Sequence, residues 1–165
     1  MKIVLVGRPG AGKTTLAKAL GGIDTDDIIA KDHESLAQYI EETCDSTEHF
    51  IEKEGIVVRE VLENTDAKII ATGGSIVHDP KTIEYIKQNS DKIFVVWLHM
   101  EDTTRGANDE ERGVVYPNGI TTKEELIKER MPLYESISNQ KIRTDHHTEK
   151  DCINILINDL KDIWQ

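Results

Sequence analysis

The sequence predicts an α/β fold in three layers, with helices covering both faces of a parallel sheet. Apolar runs rich in β-branched residues alternate along the chain with segments in which apolar residues recur at helical spacing. Strands joined by helical crossovers pair in parallel, because right-handed crossovers return the chain to the same end of the sheet. The length of 165 residues suits one such unit, so we expect a single domain over residues 1–165.

The elements follow one another in a regular order. Four segments fit the strand pattern, at 2–6, 68–72, 93–98 and 141–144, and a very short strand is expected just before Asp24. Six segments have helical periodicity: 15–20, 35–43, 47–62, 80–89, 122–137 and 148–163. Thr47 and Thr122 are expected N-caps, and Pro132 predicts a kink or a break in the fifth helix. The polar stretch 101–121 lacks apolar periodicity, and we expect a mobile lid there.

The first strand runs directly into the phosphate-loop motif G-x-x-x-x-G-K-[ST] at residues 7–14, and helical spacing follows. Its glycines let successive backbone N–H groups turn inward to form an anion-binding nest. Lys13 can reach the β- and γ-phosphates, and the Thr14 hydroxyl is placed to ligate Mg²⁺. The motif therefore predicts a nucleoside triphosphate site made by Gly7, Pro9, Gly10, Ala11, Gly12, Lys13, Thr14 and Thr15.

Further polar features lie at the carboxyl ends of predicted strands, where ligands of such folds bind. Asp24 and Asp26 are two residues apart, so their side chains point the same way in an extended stretch. One carboxylate would hold the water shell of Mg²⁺, and the other would orient a substrate hydroxyl and accept its proton. A solvated acidic turn is the alternative.

Two glycines and two arginines complete the candidate residues. Gly73 and Gly74 follow a buried strand and permit a close approach of the backbone to a ligand, with a plain tight turn as the alternative. Arg105 and Arg112 lie in the expected lid, where a closing arginine can neutralise charge on a transferring phosphoryl group. The alternative for both arginines is an ordinary surface position.

Composition restricts the partners and the compartment. The formal net charge of −11, with no basic run, argues against binding to nucleic acid or to an anionic membrane. No apolar run approaches the roughly twenty residues that span a bilayer, and no leader pattern precedes the first strand. Cys44 and Cys152 are too few for a disulfide framework. We therefore expect a cytoplasmic protein with a small-molecule substrate, acting as a monomer or a weak homodimer.

Together, these segments resemble the shikimate kinase family, small P-loop kinases similar to nucleoside monophosphate kinases. The resemblance rests on residues 7–14, 24–26 and 71–74, on Arg112, and on the R-x-P-L-Y segment that begins at Arg130. It implies a five-stranded parallel sheet in the order 2-3-1-4-5, an acceptor-binding region at about 24–64 and a lid at about 101–121. It also implies that ATP with Mg²⁺ is the phosphoryl donor.

The resemblance further implies roles for individual residues. Asp26 would hold the acceptor hydroxyl, and Asp24 would lie beside the Mg²⁺ shell. Arg112 would close on the phosphates, and Arg130 would bind the substrate carboxylate. The acceptor site would be lined by Gly73, Gly74 and Ser75. The catalytic set would be Lys13, Asp26, Arg112 and Arg130.

Three departures from the family pattern affect the acceptor side. Shikimate kinases carry an arginine in an F-R-x-x-E segment that binds the substrate carboxylate, and here Ile51 stands in its place. Losing a bidentate arginine removes a charge-assisted contact of roughly 1.5–3 kcal/mol. Lys53 and Arg59 are the candidates to replace it. Ser75 stands where the family has a third glycine, and the link from the P-loop to the first aspartate is several residues shorter than usual.

The leading interpretation is an ATP-dependent kinase that phosphorylates a hydroxyl of a small polar metabolite, with shikimate the best single candidate. Two alternatives stay open. A nucleoside or nucleoside monophosphate kinase would use the same P-loop, although the R-x-P-L-Y segment argues against it. A nucleotide-binding regulatory module without acceptor chemistry would explain Ile51 and Ser75.

Overall fold

The computed structural model describes residues 1–102 and 112–163. Its strands are β1 (Lys2–Val6), β2 (Ile23–Asp24), β3 (Ile69–Ala71), β4 (Ile93–His99) and β5 (Gln140–Arg143). All pair in parallel, in the order β2-β3-β1-β4-β5. The order 2-3-1-4-5 implied by the family resemblance is thus confirmed, and the predicted strands are present.

Helices connect these strands. They are α1 (Lys13–Ala19), α2 (Thr25–Ile29), α3 (Leu36–Thr43), α4 (Thr47–Asn64), α5 (Pro80–Gln88), α6 (Lys123–Ile137) and α7 (Glu149–Ile163), with a 3₁₀ helix at Gly74–His78. Thr122 caps α6 as predicted, accepting a hydrogen bond from the backbone N–H of Glu125 at 3.2 Å. The predicted cap of α4 is wrong by one residue, because Ser46 accepts from the N–H of His49 at 3.1 Å and Thr47 begins the helix. Within residues 1–102 and 112–163, no helix is long and apolar enough to cross a membrane.

Pro132 does not end the helix in which it lies. Helix α6 is continuous from Lys123 to Ile137, so the break allowed for in the sequence analysis is not present. A proline removes one backbone hydrogen bond, but buried side chains on both sides of it hold α6 against the rest of the protein. These are Leu126, Arg130, Tyr134 and Ile137.

Alternate residues of β1 enter two separate cores, which is the reason for the three layers. Val4 and Val6 pack on one face of the sheet with α4, α5 and α6. Ile3 and Leu5 pack on the other face with α1 and α7. A strand buried on both faces produces the continuous apolar run seen in the sequence.

A third, smaller apolar cluster joins α3 and α4 to the expected lid. Its buried members are Phe50, Ile51 and Val115, and Leu36 and Ile40 of α3 pack against them. Val115, which is 8% exposed, therefore anchors the described part of the stretch predicted as a lid. Residues 103–111, including Arg105, lie outside the described part of the chain.

Candidate active site

The turn between β1 and α1 has a backbone that requires glycine. Gly7 (φ 146°) and Gly12 (φ 94°) adopt positive φ values that other residues rarely reach. A side chain at Gly7 would also collide with the carbonyl oxygen of Leu98, which lies 2.4 Å from the ideal Cβ position. The P-loop sequence thus has the strand–turn–helix context on which the motif depends.

Lys13 is the buried cation of this loop. Its Nζ donates to the carbonyl oxygens of Gly7 (2.7 Å) and Arg8 (3.0 Å). Burial lowers the pKa of Lys13 to about 8, and the carboxylates of Asp26 and Asp24 oppose that shift. At neutral pH the ammonium therefore keeps its charge, at the point where the motif predicts phosphates.

Asp24 connects the P-loop to helix α2. One carboxylate oxygen accepts a hydrogen bond from the Thr14 hydroxyl, and the other accepts from the backbone N–H of Asp26 at 2.9 Å. This second bond caps α2, so the chain turns helical at Thr25. The expectation that Asp24 and Asp26 lie on one extended stretch is therefore wrong.

The link from the P-loop to Asp24 is short because both elements in it are short. Helix α1 has seven residues and β2 has two. Gly21 ends the helix with a positive φ of 68°. The register of β2 is nevertheless fixed, since Asp24 pairs with Ala71 in the sheet.

A cavity of about 370 Å³ brings most of the predicted residues together. Those that line it are Pro9, Gly10, Gly12, Lys13, Thr14, Thr15, Asp26, Gly73, Gly74, Ser75, Arg112 and Arg130. Three of the predicted residues do not line this cavity but contact residues that do or pack beneath them. Gly7 binds Lys13 through its carbonyl, Ala11 is buried in the core with α1, and Asp24 reaches the site through Thr14.

Glu54 also lines this cavity, although it was not among the predicted site residues. It lies on α4 and is fully buried, and its Oε2 accepts a hydrogen bond from the Ser75 hydroxyl at 2.6 Å. Burial, with a smaller contribution from Asp26, raises the pKa of Glu54 to about 8. Its Oε1 and the Oδ1 of Asp26 are both buried with no hydrogen-bond partner in the described structure. The wall of the cavity thus contains two acidic groups with an unused oxygen each.

Asp26 itself has a raised pKa of about 7, caused first by burial and then by the neighbouring charge of Asp24. Lys13 opposes this shift. A carboxylate whose pKa lies near neutrality is suited to take up a proton from a reacting hydroxyl.

Arg130 is the buried arginine of the site. Its Nε donates to Nε2 of His78 (3.1 Å), and its Nη2 donates to the carbonyl oxygen of Val115 (3.0 Å). Tyr134, one turn later on α6, donates its hydroxyl to the carbonyl oxygen of Gly74 at 2.6 Å. The R-x-P-L-Y segment therefore ties α6 to the Gly73–Gly74 turn, which explains why its two polar residues occur together.

A second, more open cavity adjoins the P-loop on another side. It has a volume of about 620 Å³ and is lined by Gly10, Gly12 and Thr15 together with residues 144–149, which follow β5. Sequence analysis gave these residues no role, because a short polar link after a strand carries no motif.

Sequence and structural comparisons agree on the family. A sequence model of shikimate kinase matches residues 9–161. This chain belongs to the shikimate kinase family. The shikimate kinase of Francisella philomiragia is 30% identical over 159 residues, which cover 92% of this chain and 90% of the relative. That of Francisella tularensis subsp. novicida is 29% identical with the same coverage. Like its family, the chain is an ATP-dependent phosphotransferase that acts on a hydroxyl.

Solved structures support the same family. The shikimate kinase from Acinetobacter baumannii in complex with shikimate superposes with a TM-score of 0.76 at 26% identity, covering 98% of this chain and 93% of that one. A deoxyadenosine kinase from M. mycoides with bound dATP has a TM-score of 0.53 at 17% identity, covering 98% of this chain and all of that one, and shows only a shared fold.

The residues that depart from the family pattern can now be located. Ile51 is 6% exposed and packs with Phe50 and Val115, so an apolar side chain fills the place of the family arginine. Lys53 donates to the carbonyl oxygen of Thr43 at 3.3 Å. Neither Lys53 nor Ile51 lines the cavity.

Arg59, the other candidate to replace the family arginine, is bound elsewhere. Its Nη1 lies 2.5 Å from both the Asp79 carboxylate and the Thr82 hydroxyl. These partners belong to the N-terminus of α5, and Arg59 does not line the cavity. Among the described residues, Arg112 and Arg130 are thus the two arginines that line the cavity.

Proposed function

We propose that this shikimate kinase family member transfers the γ-phosphate of ATP to a hydroxyl of shikimate or a closely similar small polyol acid. The observation that carries the proposal is one continuous cavity, which joins Lys13 and Thr14 to Asp26, Gly73 and Arg130. The A. baumannii relative was solved with shikimate, which supports this choice of acceptor.

On the donor side, the phosphates would bind the backbone N–H groups of Gly10 and of residues 12–14, and the ammonium of Lys13. The Thr14 hydroxyl and the Asp24 carboxylate fit Mg²⁺, because they place two oxygen ligands side by side next to the P-loop. A bound Mg²⁺ would neutralise phosphate charge there. The adenine base of ATP would lie in the open cavity between the P-loop and residues 144–149.

On the acceptor side, Asp26 would act as the general base. Asp26 lines the cavity and its Oδ1 has no hydrogen-bond partner in the described structure, so this oxygen would accept a hydrogen bond from the attacking hydroxyl. As the hydroxyl oxygen bonds to the γ-phosphorus, its proton passes to Asp26 and ADP leaves. Arg112 and Lys13 would stabilise the charge that spreads over the transferring group.

Arg130 would bind the carboxylate of the acceptor without help from a second arginine. Because Ile51 replaces that arginine, the affinity for shikimate should be about ten- to a hundredfold weaker than in a site with both. The proposal therefore predicts turnover with a high KM for the acceptor rather than a low kcat.

Steady-state ADP release with shikimate and a panel of sugar acids, polyols and nucleosides tests the proposal. We expect shikimate or another polyol acid to raise turnover well above the rate with ATP alone. Preferred turnover of a nucleoside would favour a nucleoside kinase instead. ATP binding with no acceptor-dependent turnover would favour a regulatory module. Either result would overturn the proposal.

We also infer that the protein acts in the cytoplasm as a monomer or weak homodimer, with no nucleic-acid or membrane partner. The net charge of −11 supports this, since anionic polymers and membranes would be repelled. Cys44 and Cys152 are both free thiols, as suits a reducing compartment.

A further inference from the structure

The guanidinium of Arg130 is held by protein groups on two sides. Nε donates to His78, and Nη2 donates to the carbonyl oxygen of Val115. Nη1 is directed toward Gly74, because it lies 3.1 Å from the position that a Gly74 Cβ would take. Arg130 is 2% exposed, shares a further hydrogen bond with the Tyr134 side chain and lines the cavity. Because a guanidinium carries five N–H groups, these contacts leave N–H groups for a ligand in the cavity.

His78 makes this contact as a neutral imidazole. Since Nε2 accepts the hydrogen bond from Arg130, the ring proton lies on Nδ1, which is 3.9 Å from Oε1 of Glu129. Burial and the charge of Arg130 lower the pKa of His78, and Glu129 opposes them. On the side of α5, Glu84 and Lys87 line the same surface depression as His78.

The location of His78 links it to the acceptor site. It is the last residue of the 3₁₀ helix that begins at Gly74 and contains Ser75. Two hydrogen bonds join that helix to α6, one between His78 and Arg130 and the other between Gly74 and Tyr134. The turn that lines the cavity and the arginine that faces it are therefore held in one unit.

We propose that His78 is a positioning residue for acceptor binding. It fixes the plane of the Arg130 guanidinium so that the remaining N–H groups face the acceptor. The inference rests on the proposed function, in which Arg130 binds the acceptor. A flexible arginine loses rotamer freedom when it binds a ligand, and a guanidinium already fixed by contacts within the protein loses less. With Ile51 in place of a second arginine, acceptor affinity depends on this single preorganised group.

The test compares wild type with His78→Leu and His78→Gln in steady-state kinetics, using shikimate and ATP as the varied substrates. Leucine removes the acceptor of the Arg130 hydrogen bond, and we expect the KM for shikimate to rise about tenfold, while kcat and the KM for ATP stay within about twofold. Glutamine keeps an oxygen that can accept the bond, so the KM should return to within about twofold of wild type. His49→Leu is the matched control, because the His49 ring bonds to the backbone N–H and the carboxylate of Asp45 and does not line the cavity.

The pH dependence provides a readout that a purely structural role would not move. Because the pKa of His78 is lowered by burial and by Arg130, His78 becomes protonated only at a pH more acidic than an ordinary histidine requires. The protonated ring no longer accepts the bond from Arg130, so in that acidic range the KM of wild type for shikimate should rise relative to that of His78→Gln. Asp26 titrates in both proteins and cancels from this ratio. This ratio of the wild-type KM to the His78→Gln KM does not involve the leucine variant. It therefore remains informative if His78→Leu does not fold.

The outcomes separate the inference from the function on which it rests. If wild type turns over shikimate but the KM of folded His78→Leu is unchanged, or the KM ratio is flat with pH, the positioning role is wrong and the proposed function stands. If kcat falls and the KM does not move, His78 does not act through acceptor binding. If wild type turns over no member of the acceptor panel, the proposed function and the inference both fail.

Discussion

Asp26 Oδ1 and Glu54 Oε1 face the same point beside Gly73, and neither oxygen has a hydrogen-bond partner in the described structure. A Cβ on Gly73 would lie 2.9 Å from the first oxygen and 2.0 Å from the second. The absence of a side chain at residue 73 is therefore what allows two carboxyl groups to share this wall of the cavity.

Gly73→Ala should impair catalysis without weakening nucleotide binding. The added methyl group would displace the carboxyl groups of Asp26 and Glu54, and misplacing a reacting group by about 1 Å can cost about a hundredfold in rate. We expect kcat/KM for the acceptor to fall at least about tenfold, and the ATP dissociation constant measured by calorimetry to change less than about twofold. Wild-type kinetics in a folded Gly73→Ala protein would show that neither carboxyl group acts in the reaction.

Glu54→Gln should make the protein more stable at neutral and alkaline pH. The pKa of Glu54 rises from 4.5 to about 8 on folding, so between those values the unfolded state releases a proton that the folded state keeps. The free energy of unfolding of wild type therefore loses up to about 1.4 kcal/mol per pH unit from this group as the pH rises through the window, with no loss below it. A glutamine side chain does not titrate, so the Glu54→Gln variant avoids this loss in the free energy of unfolding.

Urea unfolding of both proteins at pH 5 and pH 8 measures this effect. The stability gained by Glu54→Gln should be larger at pH 8 than at pH 5. Glu52→Gln on the same helix is the control, because Glu52 is exposed and pairs with Lys81 at the surface. An equal gain at both pH values would mean that Glu54 is ionised in the folded protein.

Lys13→Ala should weaken ATP binding by at least about tenfold, because it removes the buried cation that lies at the P-loop. Isothermal titration calorimetry with ATP and Mg²⁺ measures the change. Lys18→Ala is the control on the same helix, since Lys18 is exposed and pairs with Asp27 at the surface. Unchanged affinity in Lys13→Ala would contradict the nucleotide site.

Arg59→Ala should lower stability and leave the KM for the acceptor unchanged. Arg59 pairs with Asp79, which is 4% exposed and would be left buried without its cation. We expect a loss of about 1–3 kcal/mol in the free energy of unfolding, smaller in Arg59→Lys. A raised KM with unchanged stability would instead show that Arg59 reaches the acceptor in place of the missing arginine.

Much of the fold follows from local sequence patterns. The strands buried on both faces produce apolar runs, and the P-loop fixes its own context of strand, turn and helix. The course of the chain after β2 could not be predicted in this way. The carboxylate of Asp24 starts a helix at Thr25, and two acidic residues in a row carry no periodicity that would reveal it.

The site was harder to predict where side chains act through tertiary contacts. Glu54 interrupts the apolar face of α4, and a buried charge in such a stripe was the signal that could have identified it. His78 gave no signal, because its contact with Arg130 joins residues 52 positions apart in the chain. Whether Lys53 or Arg59 replaces the missing arginine was likewise a matter of tertiary partners, and both side chains are bound outside the cavity.

The most direct test of the account is detection of the phosphorylated acceptor by mass spectrometry after incubation with ATP, Mg²⁺ and shikimate. We predict phosphorylated shikimate with wild type, and a yield at least about a hundredfold lower with Asp26→Asn, which keeps the shape of the side chain but cannot accept the proton. Asp27→Asn, which alters an exposed neighbour, should match wild type. No phosphorylated shikimate with wild type, or the same yield with Asp26→Asn, would contradict the account.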